Sequence, residues 1–475
     1  MMTKLTRLLL PSCAVAAALA GCGTIPYRVD GLVDKPECRR IYDAYDDISP
    51  RNKSVPDEVL ASPCWRRAKE ERDDYDLLIV EFDDQGWAQG TSDLTRPARD
   101  HLDTFFGELD RLYKANPDNG LSLVVFVHGW HHNADARDAN VSDFRLLLRD
   151  LVIAEKGRKA SEVLSAARGP RVVGVYVGWR GESITVPGLR QATFWERKNT
   201  AERVAQGSVR EFFARMDFLR DRGRDTHGER NVRMLTIGHS FGGLITFESL
   251  SSDFLRAAVR STGEAYVSRL GDIVVIVNPA FEGARYEPLL VAGQRMTGVK
   301  KDQLPVAIVA TSTADEATGT LFPMARRVST IFETTPGAEG DAIVKAVGHN
   351  DRYTTHRLAV CDKDDAACAS TCRMPQVRAR ETTADIRRML EQDIGDEYRL
   401  MRGIGQRGFK AREYLCNGLK LESTANWVPN ANPFWVVSTT GDIMKDHNDI
   451  FNARFVSFIR QMYLGVIAVR FPRKE

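Results

Sequence analysis

A Gly-His-Ser-Phe-Gly run at residues 238–242 is the feature that most constrains this chain. The apolar run Met234–Ile237 precedes it, and a run compatible with a helix follows it. A G-x-S-x-G between a strand and a helix is typical of a nucleophile elbow, a sharp turn that holds the serine hydroxyl clear of the sheet. Gly238 and Gly242 are needed because a Cβ there would collide with neighbouring backbone. The pattern therefore predicts an exposed, reactive hydroxyl on Ser240.

Two backbone amides are predicted to face the oxygen anion that forms when such a hydroxyl attacks a carbonyl. The amide of Phe241 opens the helix after the turn and points toward that position. A second apolar run, 121–127, ends in His128-Gly129-Trp130, and the loop after such a strand supplies the other amide. We assign this amide to Trp130, with Gly129 allowing the backbone to approach closely.

The histidines of this loop, His128, His131 and His132, could also indicate a metal site. No carboxylate or further histidine stands near them at the spacing that metal ligands require. We therefore interpret His128 as a residue that hydrogen-bonds locally and holds the turn, and we predict no metal.

Further apolar runs alternate with helical patterns along the chain. Strands are predicted at 76–82, 121–127, 171–177, 272–277, 305–311 and 434–438, and helices at 99–114, 144–152, 384–400 and from 451 onward. This alternation predicts an α/β fold with a mostly parallel central sheet and helices on both faces. Functional residues of such sheets lie at the carboxyl ends of the strands.

A carboxylate and a histidine follow predicted strands in the order that would complete a triad with the serine. Asp315 lies in the loop after the strand at 305–311, and Glu282, which follows the preceding strand, is the alternative acid. Three histidines follow Asp315: His349, His356 and His447. We favour His447 because it alone lies between the last predicted strand and the closing helix.

These motifs resemble the α/β-hydrolase superfamily, in its esterase and lipase branch. The residues that carry the resemblance are Val127–Trp130, Gly238–Gly243 and His447–Phe451, and it covers roughly residues 76–464 apart from a Cys-rich insertion. The chain order of serine, acid and histidine matches that superfamily and differs from the two protease orders. The resemblance implies an α/β-hydrolase fold.

The same resemblance implies the chemistry. Ser240 would attack the acyl carbon of a small-molecule or lipid ester, His447 would act as general base, and Asp315 would orient the imidazole. Water would then cleave the acyl-enzyme without a metal or organic cofactor. Two alternatives are left open: acyl transfer to an alcohol by the same triad, and a non-catalytic surface protein built on a hydrolase scaffold.

The first residues are interpreted as an export signal. Lys4 and Arg7 precede the apolar run Leu8–Ala20, which is too short to span a bilayer. Small residues before Cys22 resemble a bacterial lipobox, so residues 1–21 would be removed and Cys22 lipidated; an ordinary secretory signal is the alternative. By resemblance to Gram-negative lipoproteins, Gly23 favours the outer membrane. We therefore expect a lipid-anchored protein of the bacterial cell envelope, facing the periplasm or the surface.

The chain beyond the signal divides into a tether and one large domain. Residues 22–74 are polar and are predicted to form a tether or N-terminal extension, and residues 75–464 to form the hydrolase domain. Two insertions interrupt the strand–helix alternation: 179–230, predicted to be cap-like, and 337–432, which is Cys-rich. Aromatic residues of the first insertion, Phe194, Trp195, Phe212 and Phe213, are candidates for a substrate pocket, although core packing is favoured.

Six cysteines follow Cys22, an even number that suggests disulfides in an exported protein. Cys38 and Cys64 are a plausible pair by proximity. The other four, Cys361, Cys368, Cys372 and Cys416, are expected to share two bridges, and their spacing does not favour a zinc site.

The net charge limits the classes of partner that we expect for the protein. A formal charge of +2 over 475 residues does not favour binding to nucleic acid. The basic cluster at 220–233 alternates with acidic residues and is predicted to be a solvated loop.

Overall fold

The architecture is that of an α/β protein built on one large sheet. The computed structural model describes residues 28, 32, 35–89, 99–161, 169–181, 194–226, 228–261, 267, 271–296, 298–300, 302–330, 339–372, 383–427 and 432–470. The predicted signal peptide and Cys22 therefore lie outside the described residues, as do parts of both predicted insertions.

Within the described residues, eleven strands form the sheet. They are β1 (Lys69–Glu71), β2 (Tyr75–Phe82), β3 (Leu121–Val127), β4 (Arg171–Trp179), β5 (Val232–His239), β6 (Ile273–Val277), β7 (Ala307–Ser312), β8 (His356–Val360), β9 (Arg412–Leu415), β10 (Leu419–Ser423) and β11 (Phe434–Thr439). The spatial order is β1-β2-β4-β3-β5-β6-β7-β11-β8-β10-β9. All neighbours from β2 to β8 are parallel, and antiparallel strands lie only at the two ends.

Thirteen α-helices are present in the described parts of the chain. They are α1 (Pro36–Ala44), α2 (Asp57–Leu60), α3 (Arg99–Lys114), α4 (Ala139–Ser161), α5 (Phe194–Gln206), α6 (Val209–Arg222), α7 (Phe241–Val259), α8 (Gly283–Gln294), α9 (Phe322–Ser329), α10 (Gly340–Val344), α11 (Ala366–Ala369), α12 (Thr383–Arg407) and α13 (Ala453–Arg470). Among these helices, none has both the length and the apolar character that crossing a bilayer requires.

Helices cover both faces of the sheet, as the strand–helix alternation predicts. Side chains alternate between faces along a strand, so contacts assign each helix to a face. Phe126 of β3 stacks on Phe144 of α4, with ring centres 5.4 Å apart. Phe82 of β2 points to the other face and contacts Phe212 of α6, at 6.3 Å. The central strands are buried on both sides, which explains why they read as continuous apolar runs.

The described part of the N-terminal extension is packed against the sheet. Strand β1 pairs with β2, and a small core around Tyr42 and Trp65 surrounds the Cys38–Cys64 disulfide. Glu70 of β1 is fully buried and pairs with Arg145 of α4 at 2.8 Å. Although burial opposes ionisation, Arg145 and its neighbouring arginines hold the pKa of Glu70 well below its usual range. This ion cluster joins the described part of the extension to the main core.

The described part of the Cys-rich insertion extends the sheet. Strand β8 pairs with β11 in parallel, and β10 and β9 continue the sheet in antiparallel fashion. Strand β11, the latest strand in the chain, therefore lies between β7 and the three strands of the insertion. The four cysteines form two bridges, Cys361–Cys368 and Cys372–Cys416, which confirms the disulfides predicted from the sequence.

The described part of the segment 179–230 packs against the sheet through helix α6. Phe212 and Phe213 of α6 are buried against the sheet, which confirms the prediction of core packing for them. Helix α5 lies at the carboxyl edge of the sheet, where its first residue, Phe194, contacts the helix that follows β5.

Candidate active site

Ser240 occupies a strained turn between β5 and α7. Its backbone dihedrals are φ 56° and ψ −119°, a conformation that non-glycine residues rarely adopt. A Cβ at Gly238 would lie 2.4 Å from Thr246 Oγ1, and one at Gly242 would lie 2.1 Å from the carbonyl oxygen of Val127. Both positions require glycine, for the steric reason inferred from the motif.

The three side chains that the sequence analysis grouped lie in one hydrogen-bonded chain. Ser240 Oγ is 2.9 Å from His447 Nε2, and His447 Nδ1 is 2.9 Å from Asp315 Oδ2. An ionised carboxylate can only accept, so Nδ1 carries the proton and donates it to Asp315. His447 Nε2 is then the acceptor for the hydroxyl proton of Ser240.

Asp315 is buried and held in its ionised form. Burial alone would raise the pKa of Asp315, but hydrogen bonds from His447 and Thr318 keep it below its usual value. The Thr318 hydroxyl donates to Asp315 Oδ2, and the Thr318 amide donates to Oδ1 at 3.1 Å. The carboxylate is therefore fixed in orientation as well as in charge.

His349 extends this chain by one further link. Its Nε2 lies 3.0 Å from Thr318 Oγ1. Because the single hydroxyl proton of Thr318 is given to Asp315, Nε2 of His349 must be the donor in this contact. His349, the alternative base, thus contacts Thr318 and not Ser240.

The loop that carries His447 is attached to the sheet through its backbone. The carbonyl oxygen of His447 accepts from His239 Nε2 at 2.9 Å and from Asn278 Nδ2 at 3.0 Å. Asn278 Oδ1 in turn accepts from the Ser312 amide at 3.0 Å, and Ser312 Oγ donates to the carbonyl oxygen of Met444 at 2.6 Å. Residues at the ends of β5, β6 and β7 therefore position the imidazole independently of its own side-chain contacts.

The predicted oxyanion amides flank the serine. A Cβ at Gly129 would lie 2.8 Å from the Cβ of Ser240, so the loop after β3 passes directly beside the turn. Within the described residues, the amides of Trp130 and Phe241 have no hydrogen-bond acceptor. Both amides are therefore available to a ligand oxygen.

His128 holds this loop in place, as predicted. Its Nδ1 donates to the carbonyl oxygen of Gly129 at 2.9 Å, and its Nε2 accepts from the amide of Trp179 at 3.1 Å. Complete burial lowers the pKa of His128 to about 4, so the ring is neutral. In the described part of the chain, no group of three or more histidine, cysteine or acidic side chains is arranged to hold a metal.

Glu282, the alternative acid, belongs to a separate ion cluster. Its buried carboxylate pairs with Lys198 at 3.1 Å, Arg285 at 2.9 Å and Arg326 at 2.9 Å. Burial opposes ionisation, but these three cations lower the pKa of Glu282 below its usual value. The cluster lines a cavity of about 450 Å³ together with Trp195, and no triad residue lines that cavity.

His356, the other alternative base, is a core residue of β8. Its ring lies 4.6 Å from that of Trp427 and 4.1 Å from that of Trp435. Burial lowers the pKa of His356 to about 3. No described contact links it to Ser240.

The burial of His356 predicts a loss of stability in mild acid. The ring stays neutral in the folded protein, whereas an unfolded chain protonates histidine below about pH 6.5. The folded state therefore loses stability as the pH falls below that value, by about 2 kcal/mol at pH 5 for this residue. We expect His356→Phe to flatten the decline of the free energy of unfolding between pH 7 and pH 5, measured by urea denaturation. An unchanged slope would contradict this account.

Aromatic side chains cluster beside the serine turn, next to the predicted oxyanion amides. The ring of Phe194 lies 5.2 Å from Phe241, 5.4 Å from Trp130 and 6.3 Å from Phe322. Phe194 is half-buried, while Phe241 and Phe322 are buried. Of the four candidate pocket aromatics, Phe194 alone contacts residues adjacent to the serine, and Trp195 lines the charged cavity beside it.

Four residues with contacts to the triad or its loop were not selected from the sequence for those roles. They are His239, Asn278, Thr318 and His349. His239 is the variable residue of the Gly-x-Ser motif, and Asn278 directly follows a predicted strand. The sequence therefore indicated where both residues lie relative to the strands. The hydrogen bonds of these four residues could not be predicted, because such bonds join loops that are distant in the chain.

Comparisons with known proteins give no relative for this chain. No family model matches the sequence, and neither a curated protein nor a solved structure is significantly similar to it.

Proposed function

We propose that the protein is a serine hydrolase of the α/β-hydrolase type that cleaves carboxylic esters. The observation that carries this proposal is the chain of two 2.9 Å hydrogen bonds that joins Ser240, His447 and Asp315. A strained serine between strand and helix, at the carboxyl edge of a parallel sheet, is the context that such hydrolases use.

The proposed reaction has two steps. Ser240 Oγ attacks the acyl carbon while His447 Nε2 takes the hydroxyl proton, and the charged imidazole is stabilised by Asp315. His447 then returns the proton to the leaving alcohol as the carbon–oxygen bond of the ester breaks. In the second step water attacks the acyl-enzyme, His447 takes its proton, and the acid leaves as Ser240 is restored.

The amides of Trp130 and Phe241 are proposed to bind the oxygen anion in both steps. They flank Ser240 and have no acceptor among the described residues. One such donor is typically worth about 2.7–4 kcal/mol in transition-state stabilisation. No metal or organic cofactor takes part in this mechanism.

The surroundings support an ester with an apolar acyl group. Phe194, Trp130 and Phe322 form an aromatic patch next to the oxyanion position, and aromatic rings favour burial of hydrocarbon. The charged cluster around Glu282 lies outside the triad. We therefore propose small-molecule or lipid esters as the substrate class.

We also propose that Cys22 is lipidated and anchors the protein in the cell envelope, with the outer membrane as the expected site. This part of the proposal is supported by the signal sequence alone. Several acyl chains on one cysteine make a stable anchor, whereas a single chain binds only marginally.

A fluorophosphonate probe tests the proposed nucleophile directly. We expect its phosphorus to bond to Ser240 Oγ with loss of fluoride, and peptide mapping to place the adduct on that residue. Parallel assays should show hydrolysis of p-nitrophenyl esters over a range of acyl lengths. Labelling at another serine, or no turnover with any ester, would contradict the proposal. Ester products formed only when an alcohol is added would assign the triad to acyl transfer.

A further inference from the structure

We propose that the carboxyl edge of the sheet docks onto the bilayer, so that the active site faces the membrane surface. The proposal concerns orientation and goes beyond the proposed reaction, but it rests on the proposed lipidation of Cys22. Three observations carry it: the position of Arg28, the length of chain between Arg28 and Cys22, and the exposed apolar side chains of the edge.

Arg28 is fixed at the carboxyl edge. Its amide donates to Glu81 Oε2 at 2.5 Å, and its guanidinium pairs with Glu70 at 2.7 Å. Arg28 is 3% exposed and Glu70 is fully buried. A buried, paired guanidinium of this kind holds its segment firmly, because removing either charge leaves the other unpaired.

The strand register places Glu81 at the height of the nucleophile. Val80 of β2 pairs with Val177 of β4, and Val127 of β3 pairs with both Val177 and Gly238 of β5. Glu81 is therefore level with the residue before Ser240. Three strand spacings of about 4.8 Å separate β2 from β5, a lateral distance of about 14 Å.

The short segment between Cys22 and Arg28 limits how far the proposed lipid anchor can lie from the carboxyl edge. Cys22 precedes Arg28 by six residues, and a fully extended chain covers at most about 3.6 Å per residue, or about 22 Å in all. The headgroup layer that receives the acyl chains of Cys22 is thus held within about 22 Å of the edge that carries Ser240. The amino edge of the sheet lies a full strand length farther from Arg28 than the carboxyl edge does.

The carboxyl edge also presents apolar side chains to solvent. Leu321, Met324 and Val328, on one face of the helical segment after Asp315, are 63%, 58% and 74% exposed. Trp87, in the turn after β2, is 65% exposed. Among the described residues, the remaining exposed large apolar side chains, Leu146, Phe218 and Val259, lie on three different helices. Exposed Leu, Met, Val and Trp side chains suit insertion at a bilayer interface, where apolar burial adds to the anchor.

Quenching of tryptophan fluorescence by brominated lipids tests the orientation. The lipidated mature protein, which begins at Cys22, is reconstituted in phosphatidylcholine vesicles with and without bromine on the acyl chains. We expect bromine to lower the fluorescence of the wild type, Trp87→Phe to remove most of that loss, and Trp427→Phe, a buried control, to preserve it. Equal fractional quenching in the wild type and Trp87→Phe would overturn the proposal. The proposal would also be overturned if acrylamide failed to quench Trp87 in solution without vesicles, because that result would indicate that a protein partner covers it.

Activity measurements separate this proposal from the proposed reaction. A triple variant, Leu321→Asp, Met324→Asp and Val328→Asp, should lose roughly ten-fold in turnover of an ester embedded in vesicles while hydrolysing a water-soluble ester normally. The matched control, Phe218→Asp with Val259→Asp, alters helix segments near the amino edge and should leave both activities unchanged. If the triple variant hydrolysed vesicle esters as fast as the wild type, the proposed docking face would be wrong. Turnover of neither ester by the wild type would contradict the proposed reaction and leave the quenching result standing.

The anchor itself is tested by labelling. Cells supplied with labelled palmitate should incorporate it into the wild type and not into Cys22→Ser. An unlabelled wild type would remove the basis of the orientation, whatever its esterase activity.

Discussion

Replacing Ser240 by alanine is expected to lower kcat/KM for p-nitrophenyl esters by about 10⁴-fold or more, because no other group can form the acyl-enzyme. The turn is fixed by Gly238, Gly242 and their neighbours rather than by the hydroxyl. The variant should therefore unfold at the same urea concentration as the wild type. The measurement is steady-state kinetics on both proteins, with thermal and urea unfolding alongside.

The control for this variant is Ser252→Ala, which changes an exposed serine of the same helix, α7. It should keep full activity and full labelling by the fluorophosphonate. Unchanged turnover in Ser240→Ala would refute the assignment of the nucleophile, and loss of activity together with early unfolding would show that the hydroxyl is needed for the turn.

Replacing His447 by alanine is expected to cost about as much, roughly 10⁴-fold in kcat, since the hydroxyl of Ser240 then has no proton acceptor. The loop should stay in place because His239 and Asn278 hold the backbone carbonyl of residue 447, not its ring. Substrate binding should therefore change little, and KM should stay within about three-fold of the wild type if it reports binding.

The other two histidines provide matched controls. His349→Ala removes a contact to Thr318, which itself supports Asp315, so we expect a loss of less than about ten-fold. His356→Phe should leave activity at neutral pH unchanged. If His349→Ala were inactive while His447→Ala stayed active, the assignment of the general base would be reversed. The base would then be His349, which lies in the Cys-rich insertion.

The central strands could be predicted from the sequence because both faces of them are buried. Strand β3 spans Leu121–Val127, the residues of the apolar run, and β2 begins one residue earlier than predicted. Strands β8, β9 and β10 were missed because they are short and bury only alternate side chains. Without an apolar run, nothing in the local sequence distinguishes such strands from loops, so no strand was predicted within residues 337–432.

The grouping of the triad residues could be predicted for a topological reason. Parallel strands bring their carboxyl ends to one edge, so Ser240, Asp315 and His447 were expected together once each was seen to follow a strand. The supporting hydrogen bonds could not be predicted. Asn278 and His447 are 169 residues apart, and nothing in the local sequence of either indicates the other.

The position of β11 has a consequence for how the proposed enzyme becomes active. This strand comes late in the chain, yet it joins β7 to the strands of the insertion and leads directly to the histidine loop. A chain threaded through a membrane from its N-terminus delivers the serine 207 residues ahead of the histidine. On the proposed mechanism and the proposed export, the hydroxyl would stay chemically inert while the chain crosses the membrane. The proposed reactivity would then arise only when β11 and the histidine loop complete the sheet, after the proposed export.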